Sequence, residues 1–583
     1  MKRAYINKNA NLHASKNMRV PSDNLKINLR MKKYIPLIAV GFMLFFTACE
    51  SFLEEENYSS VVADELYATK SGYDGLVNAC YSSLRTIYGD EVWLFCAGTD
   101  MYVEGRGAQP EGISEYANLT PTDTYVRDFF RNLYKTIQLC NTAVEYNSKT
   151  EAAATLPQRL AEVRFLRAFA YFKLVQHFGG VSIVEEMIDE PITSFERKSA
   201  EEVYAFIIAE IEAAKANLPE TTSDFGRATR RAADHYLAKV YLTRGYETFG
   251  KPADFTTAAG YADAAINNQG LNLSYETVFK PGNEKNEEII FSLQYDPASI
   301  VDAFTDGHRQ SCYFGPAVLL SYPQTSVPSK AYVLCPTMYV FNLYTQHDSR
   351  WEASFMNVIY DRYYDYFDKP AERNNLVVAD YYPQSWEVAD IEAWKAASPL
   401  RANARIYPYG PAWEASPASN ADRLTPSVKK FDDPTSVYSW AGSNTRDIFL
   451  ARLGETYLLA AEAYLKANDP AKAAARINAV RTRAAKAGHT AQMQLTAGQM
   501  TIDKILDERA LELIGEYHRW EDLKRTGTLV DRTKIYNRDI KDWFDNGSNP
   551  FMGSDGKLKI LRPIPQEALD LNQDETYVQN PGY

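Results

Sequence analysis

The 583-residue sequence holds few side-chain arrangements that could break a bond. Metal-activated hydrolysis would show a helical His-Glu-x-x-His, and acyl transfer a Gly-x-Ser-x-Gly elbow. Neither occurs, and there is no phosphate-cradling P-loop and no EF-hand loop. The seven histidines, at 13, 177, 235, 308, 347, 489 and 518, are scattered, and none are spaced as metal pairs. Glycoside hydrolysis asks only for two carboxylates roughly 5–9 Å apart, so a chain this rich in acids leaves that chemistry open. Asp545-Asn546-Gly547-Ser548-Asn549-Pro550, running on to Asp555-Gly556, gathers oxygen ligands and turn formers. Its spacing matches no calcium loop, and a surface hairpin is the expectation. No cofactor and no metal site are predicted.

The positive signal is aromatic. The chain carries 40 Tyr, 27 Phe and 8 Trp, more Tyr than a core needs, because each buried hydroxyl must find a partner. Tyr88, Trp93, Tyr102 and Tyr125 fall on or near loops of the first half. Tyr313, Phe314, Tyr322, Tyr332, Trp351, Tyr363, Tyr364, Tyr366, Trp386, Trp413 and Trp440 crowd a region without helical periodicity. Sugar rings present apolar C–H faces that stack on flat aromatic rings, while their hydroxyls bond Asn, Asp, Gln and Arg. A platform of this kind needs no catalytic pair. Any one of these rings is more readily explained as core, but the set as a whole is expected to include a surface platform.

The elements that must position these rings fall into blocks. Met31-Lys32-Lys33, the 13-residue apolar run Tyr34 to Phe46, and Thr47-Ala48 before Cys49 have the layout of a secretory signal. The run is too short to span a bilayer core. A Cys directly after small residues resembles a bacterial lipobox, which makes Cys49 the lipidation site and first mature residue. Residues 1–30 then read as a segment upstream of the true start. Removing 1–48 takes away nine Lys/Arg and one Asp, leaving 54 basic and 74 acidic residues. Such a body is repelled by anionic membranes, so the lipid must do the tethering, and it does not suit a nucleic-acid partner. The five cysteines after Cys49 show no zinc spacing and are expected to be mostly buried free thiols.

Apolar residues recur at helical spacing over 74–87, 125–146, 160–178 and about 200–217, 228–248 and 256–268, with Pro157, Pro219 and Pro252 in the connections. A second block is predicted over 446–467, 471–487 and 501–525. Between them, from 272 to 443, periodicity collapses into Tyr, Trp, Pro, Asn and Asp. The fold class is therefore mainly α. A TPR-like scaffold of helical pairs, over 49–271 and 444–583, carries a large loop-rich, short-strand region at 272–443. Irregular segments on a stiff scaffold are where binding usually resides.

Several motifs carry a resemblance to a known family. They are Arg452-Leu453-Gly454-Glu455 onward to Glu462, Ile477-Asn478-Ala479-Val480-Arg481-Thr482-Arg483, and Asp507-Glu508-Arg509. They continue with Glu516-Tyr517-His518-Arg519-Trp520-Glu521-Asp522-Leu523 and Arg562-Pro563-Ile564-Pro565. In the first half, Glu162-Val163-Arg164-Phe165-Leu166-Arg167 is followed by Gly179-Gly180-Val181, and Cys49-Glu50-Ser51-Phe52-Leu53 follows the lipobox. Together these resemble the SusD/RagB family of outer-membrane lipoproteins.

The resemblance implies a TPR-like scaffold, a loop-rich ligand face and capture of oligo- or polysaccharide without catalysis. It also implies handover to a SusC-like TonB-dependent transporter. It points to Trp93 with Asp100 and Tyr102 in the loop after the first mature helix. Tyr313, Tyr332, Trp351, Trp386 and Trp440 are added from local composition. Peptide capture, as in the RagB branch, and a surface glycoside hydrolase are the alternatives. The charged residues of the C-terminal motifs, Arg509, Glu512, Glu516, Arg519 and Asp522, are expected to pair within a packed helical face.

Overall fold

Helical periodicity becomes helices with chemical caps. The computed structural model describes residues 63–583 apart from 90–92, 303–305, 316–328, 362–369, 418–422 and 434–441. In the first half, α1 (Lys70–Ser83) starts where the Thr69 hydroxyl accepts from Gly72 N–H, and α2 (Thr124–Asn147) where Asp123 accepts from Val126 N–H. Helix α3 (Leu156–Phe178) stops at Gly179, whose φ of 71° suits a residue without Cβ. A Ser199–Glu202 capping box opens α4 (Ala200–Lys215). Helices α5 (Arg230–Tyr246) and α6 (Pro252–Ile266) follow. Pro157 and Pro252, expected in connections, instead stand in the first turns of α3 and α6, where the missing N–H has no intrahelical partner to lose.

The second half supplies α7 (Leu453–Lys466), α8 (Pro470–Ala484), α9 (Ile502–Glu512) and α10 (Arg519–Arg525), then the shorter α11 (Leu529–Tyr536) and α12 (Arg538–Asp545). From α1 to α6 each helix packs on the next. Helix α6 then packs on α7, which packs on α8 and α9, so the helical stack continues across the irregular region. The fold is mainly α, as the sequence predicts, with few and short strands.

One boundary differs. The sequence pattern predicts a helix from residue 446, yet β7 (Ile448–Arg452) is a strand, antiparallel to β2 (Ile289–Leu293) with Ser292 opposite Phe449. All five of its residues are buried. A stretch covered on both faces shows no alternation, so periodicity cannot separate it from a buried helix turn. The other strands are β1 (Tyr102–Val103) with β3 (Cys335–Pro336), and β4 (Val358–Tyr360), β5 (Val378–Tyr381) and β6 (Arg405–Ile406). Cys80, Cys96, Cys140, Cys312 and Cys335 are buried and free, as expected. The turn after α12 closes through an antiparallel bridge between Met552 and Leu558.

The C-terminal motifs build a buried ionic lattice. Arg452 at the end of β7 donates to Glu512 at 2.7 Å and to Glu516 at 2.7 and 2.8 Å. Glu512 also receives Arg350 at 3.1 Å and Arg483, while Lys430 reaches Glu516 at 2.5 Å. Nearby, Arg509 bonds Asp522 at 2.6 Å, and Arg525 bonds Asp522 and Glu462 at 3.0 and 2.7 Å. Gly454 is required at the start of α7, since a Cβ there would strike the Arg452 guanidinium and the Glu512 carboxylate. Of Arg509, Glu512, Glu516, Arg519 and Asp522, expected to pair within one helical face, only Arg509 and Asp522 pair with each other. Glu512, Glu516 and Arg519 take partners on other elements.

Candidate functional site

Part of the predicted aromatic set converges near the start of α2. Trp93 opens a helical turn, Trp93–Cys96, and its ring lies 4.8 Å from Tyr313 and, edge to face, 6.4 Å from Tyr125 in the first turn of α2. Trp93 keeps 7 % of its surface exposed, while Tyr125 and Tyr313 are half-buried. Backbone bonds tie the strand segment beside them to this cluster. Ala331 N–H donates to Cys312 C=O at 2.7 Å and Leu334 N–H to Tyr313 C=O at 2.9 Å. The same segment pairs with β1 through β3, and Gly107 N–H donates to Tyr332 C=O at 3.1 Å. Arg106, exposed, lies 4.6 Å over the half-buried Tyr332 ring. Tyr332 has a φ of 61°, a left-handed conformation that costs a bulky residue energy and that its pairing on both sides holds in place.

Clustered aromatic rings, a guanidinium over a tyrosine ring and nearby backbone amides are the groups that flat, hydroxyl-rich ligands use. Glu104, two residues before Arg106, accepts from Gln109 N–H at 3.0 Å, and burial raises its carboxyl above the usual range. Among the described residues, no three His, Cys, Asp or Glu side chains gather as a metal site.

Other predicted site residues take structural positions, which corrects the expectation for them. Asp100 is fully buried between Arg519, whose nitrogens reach it at 2.6 Å, and Arg532 at 2.7 Å. Burial opposes ionisation there, but the two guanidiniums outweigh it and hold the Asp100 carboxyl below its usual range. Tyr102 is enclosed, with its hydroxyl accepting from Gly515 N–H at 3.0 Å and its ring 5.2 Å from Phe314. Trp351 has no exposed surface and lies parallel to Trp413, 5.6 Å away, with Phe341 and Phe355 around it. The irregular region, with few regular elements, builds its core from rings such as Trp351, while Asp100 and Tyr102 are enclosed by the C-terminal segment at Gly515, Arg519 and Arg532. Trp386 is half-buried against the core in the turn after Gln384, and among the described residues no ring contact joins it to Trp93, Tyr125 or Tyr313. Trp440 and Cys49 lie outside the described residues. Arg106 carries no local sequence signal, and its partner Tyr332 is revealed only by the β1–β3 pairing. Tyr125 is one loop aromatic among many until α2 sets it beside Trp93.

The chain is similar to proteins of known kind. A model described as the SusD family matches residues 287–583, and one described as starch-binding, associating with the outer membrane, matches residues 51–242. A SusD-like protein of Bacteroides ovatus is 29 % identical over 286 residues, 46 % of this chain, and the match spans half of that relative's length, 50 %. SusD-like protein P25 of Formosa agariphila is 24 % identical over 582 residues, covering 94 % of this chain and 99 % of that protein. Among solved structures, a SusD homolog from Bacteroides thetaiotaomicron superposes with a TM-score of 0.66 at 20 % identity, over 89 % of this chain and 98 % of that one. Surface glycan-binding protein A from the same organism, in complex with laminarihexaose, gives 0.63 at 19 % identity, over 88 % and 100 %. At these identities the structures share the fold.

Proposed function

The chain belongs to the SusD family, and from that premise we propose that it is a cell-surface lipoprotein that binds oligo- or polysaccharide without cleaving it. It passes the captured glycan to a SusC-like TonB-dependent transporter in the outer membrane. The observation that carries this reading is the convergence of Trp93, Tyr125 and Tyr313 beside the Arg106–Tyr332 pair. Starch-binding and laminarihexaose-bound proteins of the same fold support it. Single ring contacts are weak, so a polymer touching several at once gains its affinity from their combination. The transporter supplies the energy of uptake. Lipid on Cys49 holds the acidic body at the membrane against its own charge.

The test is isothermal titration of the intact protein, in detergent micelles, with laminarihexaose and maltohexaose. Tyr313→Ala is expected to weaken the interaction roughly tenfold, about 1.4 kcal/mol, as loss of one stacking ring should. Unchanged affinity would move the site elsewhere, and release of shorter sugars on incubation would end the claim of binding without cleavage. For the anchor, Cys49→Ser is expected to shift the protein from the membrane to the soluble fraction of a cell lysate. Retention in the membrane fraction contradicts lipidation at that residue.

A further inference from the structure

Beyond β3, on the far side from Tyr332, the same chain segment enters a second cleft of about 570 Å³, within the usual size of ligand sites. Its walls come from the irregular region on one side and from α9, α11 and α12 on the other. Tyr339 and Tyr536 stack in it at 4.4 Å with ring planes 27° apart. Tyr339 is buried, so the half-buried Tyr536 is the ring that meets solvent. Ile535, 61 % exposed, stands beside it as an apolar rim.

The polar groups around this shelf offer both donors and acceptors. Asn342 is exposed, and its carbonyl accepts the Tyr409 hydroxyl, which leaves the amide N–H₂ for a ligand. One oxygen of Glu414 accepts from Met338 N–H at 3.0 Å, and one oxygen of Asp507 takes the Tyr339 hydroxyl at 2.7 Å. Each carboxylate has remaining lone pairs for a ligand hydroxyl.

The shelf is also held rigid. The Tyr339 hydroxyl is bonded by Asp507, by Arg519 at 3.3 Å and by Arg532. Both arginines are clamped by the buried Asp100. Asp100 thus positions the cleft indirectly, by fixing the buried Tyr339 ring on which the solvent-facing Tyr536 stacks.

We propose that this Tyr339–Tyr536 cleft is a second saccharide-binding site, separate from the Trp93 cluster and accepting a neutral stretch of the same glycan. The proposal rests on the glycan-binding reading above. Two separated sites on one protein hold a polymer more firmly than either alone.

The test is again titration of the intact protein with laminarihexaose and maltohexaose, now read for stoichiometry. The wild type is expected to bind two oligosaccharides per chain. Tyr536→Ala should remove one site and leave the other, and Asn342→Ala should weaken one site roughly fivefold. Asn342 lies at the surface, so its variant decides the matter should Tyr536→Ala misfold by circular dichroism. A single site in the wild type, lost in Tyr313→Ala and intact in Tyr536→Ala and Asn342→Ala, overturns the second cleft while the glycan reading stands. Two sites that both survive these two cleft substitutions overturn it as well. No binding of either sugar overturns the glycan reading and the cleft with it.

Discussion

Glu512→Ala is expected to lower folding stability by about 3–5 kcal/mol, the usual cost of removing one partner from a buried charge cluster. Glu512 has no exposed surface and receives three guanidiniums, from Arg350, Arg452 and Arg483. Around it, among the described residues, the cations Arg350, Arg452, Arg481, Arg483 and Lys430 interlock with the acids Asp348, Glu288, Glu508, Glu512 and Glu516. Removing one carboxylate from this balanced set leaves a net positive charge where water cannot solvate it. Each arginine keeps another acid, so the effect should stay below outright unfolding.

Urea denaturation at neutral pH measures the loss. A change under about 1 kcal/mol would mean that water or local rearrangement relieves the site, and that the lattice does not hold the irregular region to α9. A double-mutant cycle with Arg452→Ala isolates the pair itself. Acid probes the same group. Burial opposes the charge on Glu512, but Arg483, Arg452 and Arg350 outweigh it and bring its pKa down to about 2. Its contribution is complete above the unfolded value near 4.5 and disappears as pH falls from there toward 2.

The second large effect begins at milder pH. His177, His308 and His518 are buried, and burial lowers each of them to about 4. His308 shows why. Its Nδ1 accepts from Gln310 N–H at 3.2 Å while Nε2 lies 2.7 Å from the Arg446 carbonyl, so the ring is neutral with its proton on Nε2. A second proton on Nδ1 would face the Gln310 N–H. His177 is stacked on Trp520 at 4.5 Å and edged by Phe95 and Phe129, and His518 lies beside Lys239.

For a group whose folded pKa is below its unfolded one, the unfolded chain binds more protons between the two values. Stability is therefore full above pH 6.5 and is lost as pH falls through 6.5 toward 4. At pH 5 each histidine accounts for about 2 kcal/mol of that loss. Lys430, which burial lowers to about 7, contributes little further change in this window. Carboxyls that burial raises, such as Glu288 and Asp432, oppose the trend. The histidine contribution is therefore read from variants in urea denaturation between pH 8 and 5. His308→Gln is expected to flatten the slope by about 1.4 kcal/mol per pH unit below 6.5. Parallel curves for wild type and variant would show that His308 is not held neutral.

The helices were legible because each carries its own evidence. Leu76, Val77 and Cys80 of α1, or Phe129, Leu133, Ile137 and Cys140 of α2, recur at the spacing that puts them on one buried face. The charged C-terminal motifs announced that acids and bases would pair, but helical spacing named the wrong partners: Glu512 and Glu516 go to Arg452 and Arg519 goes to Asp100. The aromatic site was legible only as a class of residue. Trp93 and Trp351 stand in similar local surroundings, yet one keeps an edge at the surface beside Tyr313 and the other is sealed against Trp413.

What the sequence determined by itself was the stack of paired helices and its family, because local periodicity and motif report burial within one element. Tertiary structure alone decided that Asp100 belongs to Arg519, 419 residues away. It alone made 448–452 a strand by supplying β2 as partner, and it alone decided which rings face outward. Those outcomes depend on partners remote in the chain, and a residue's nearest neighbours carry no record of them.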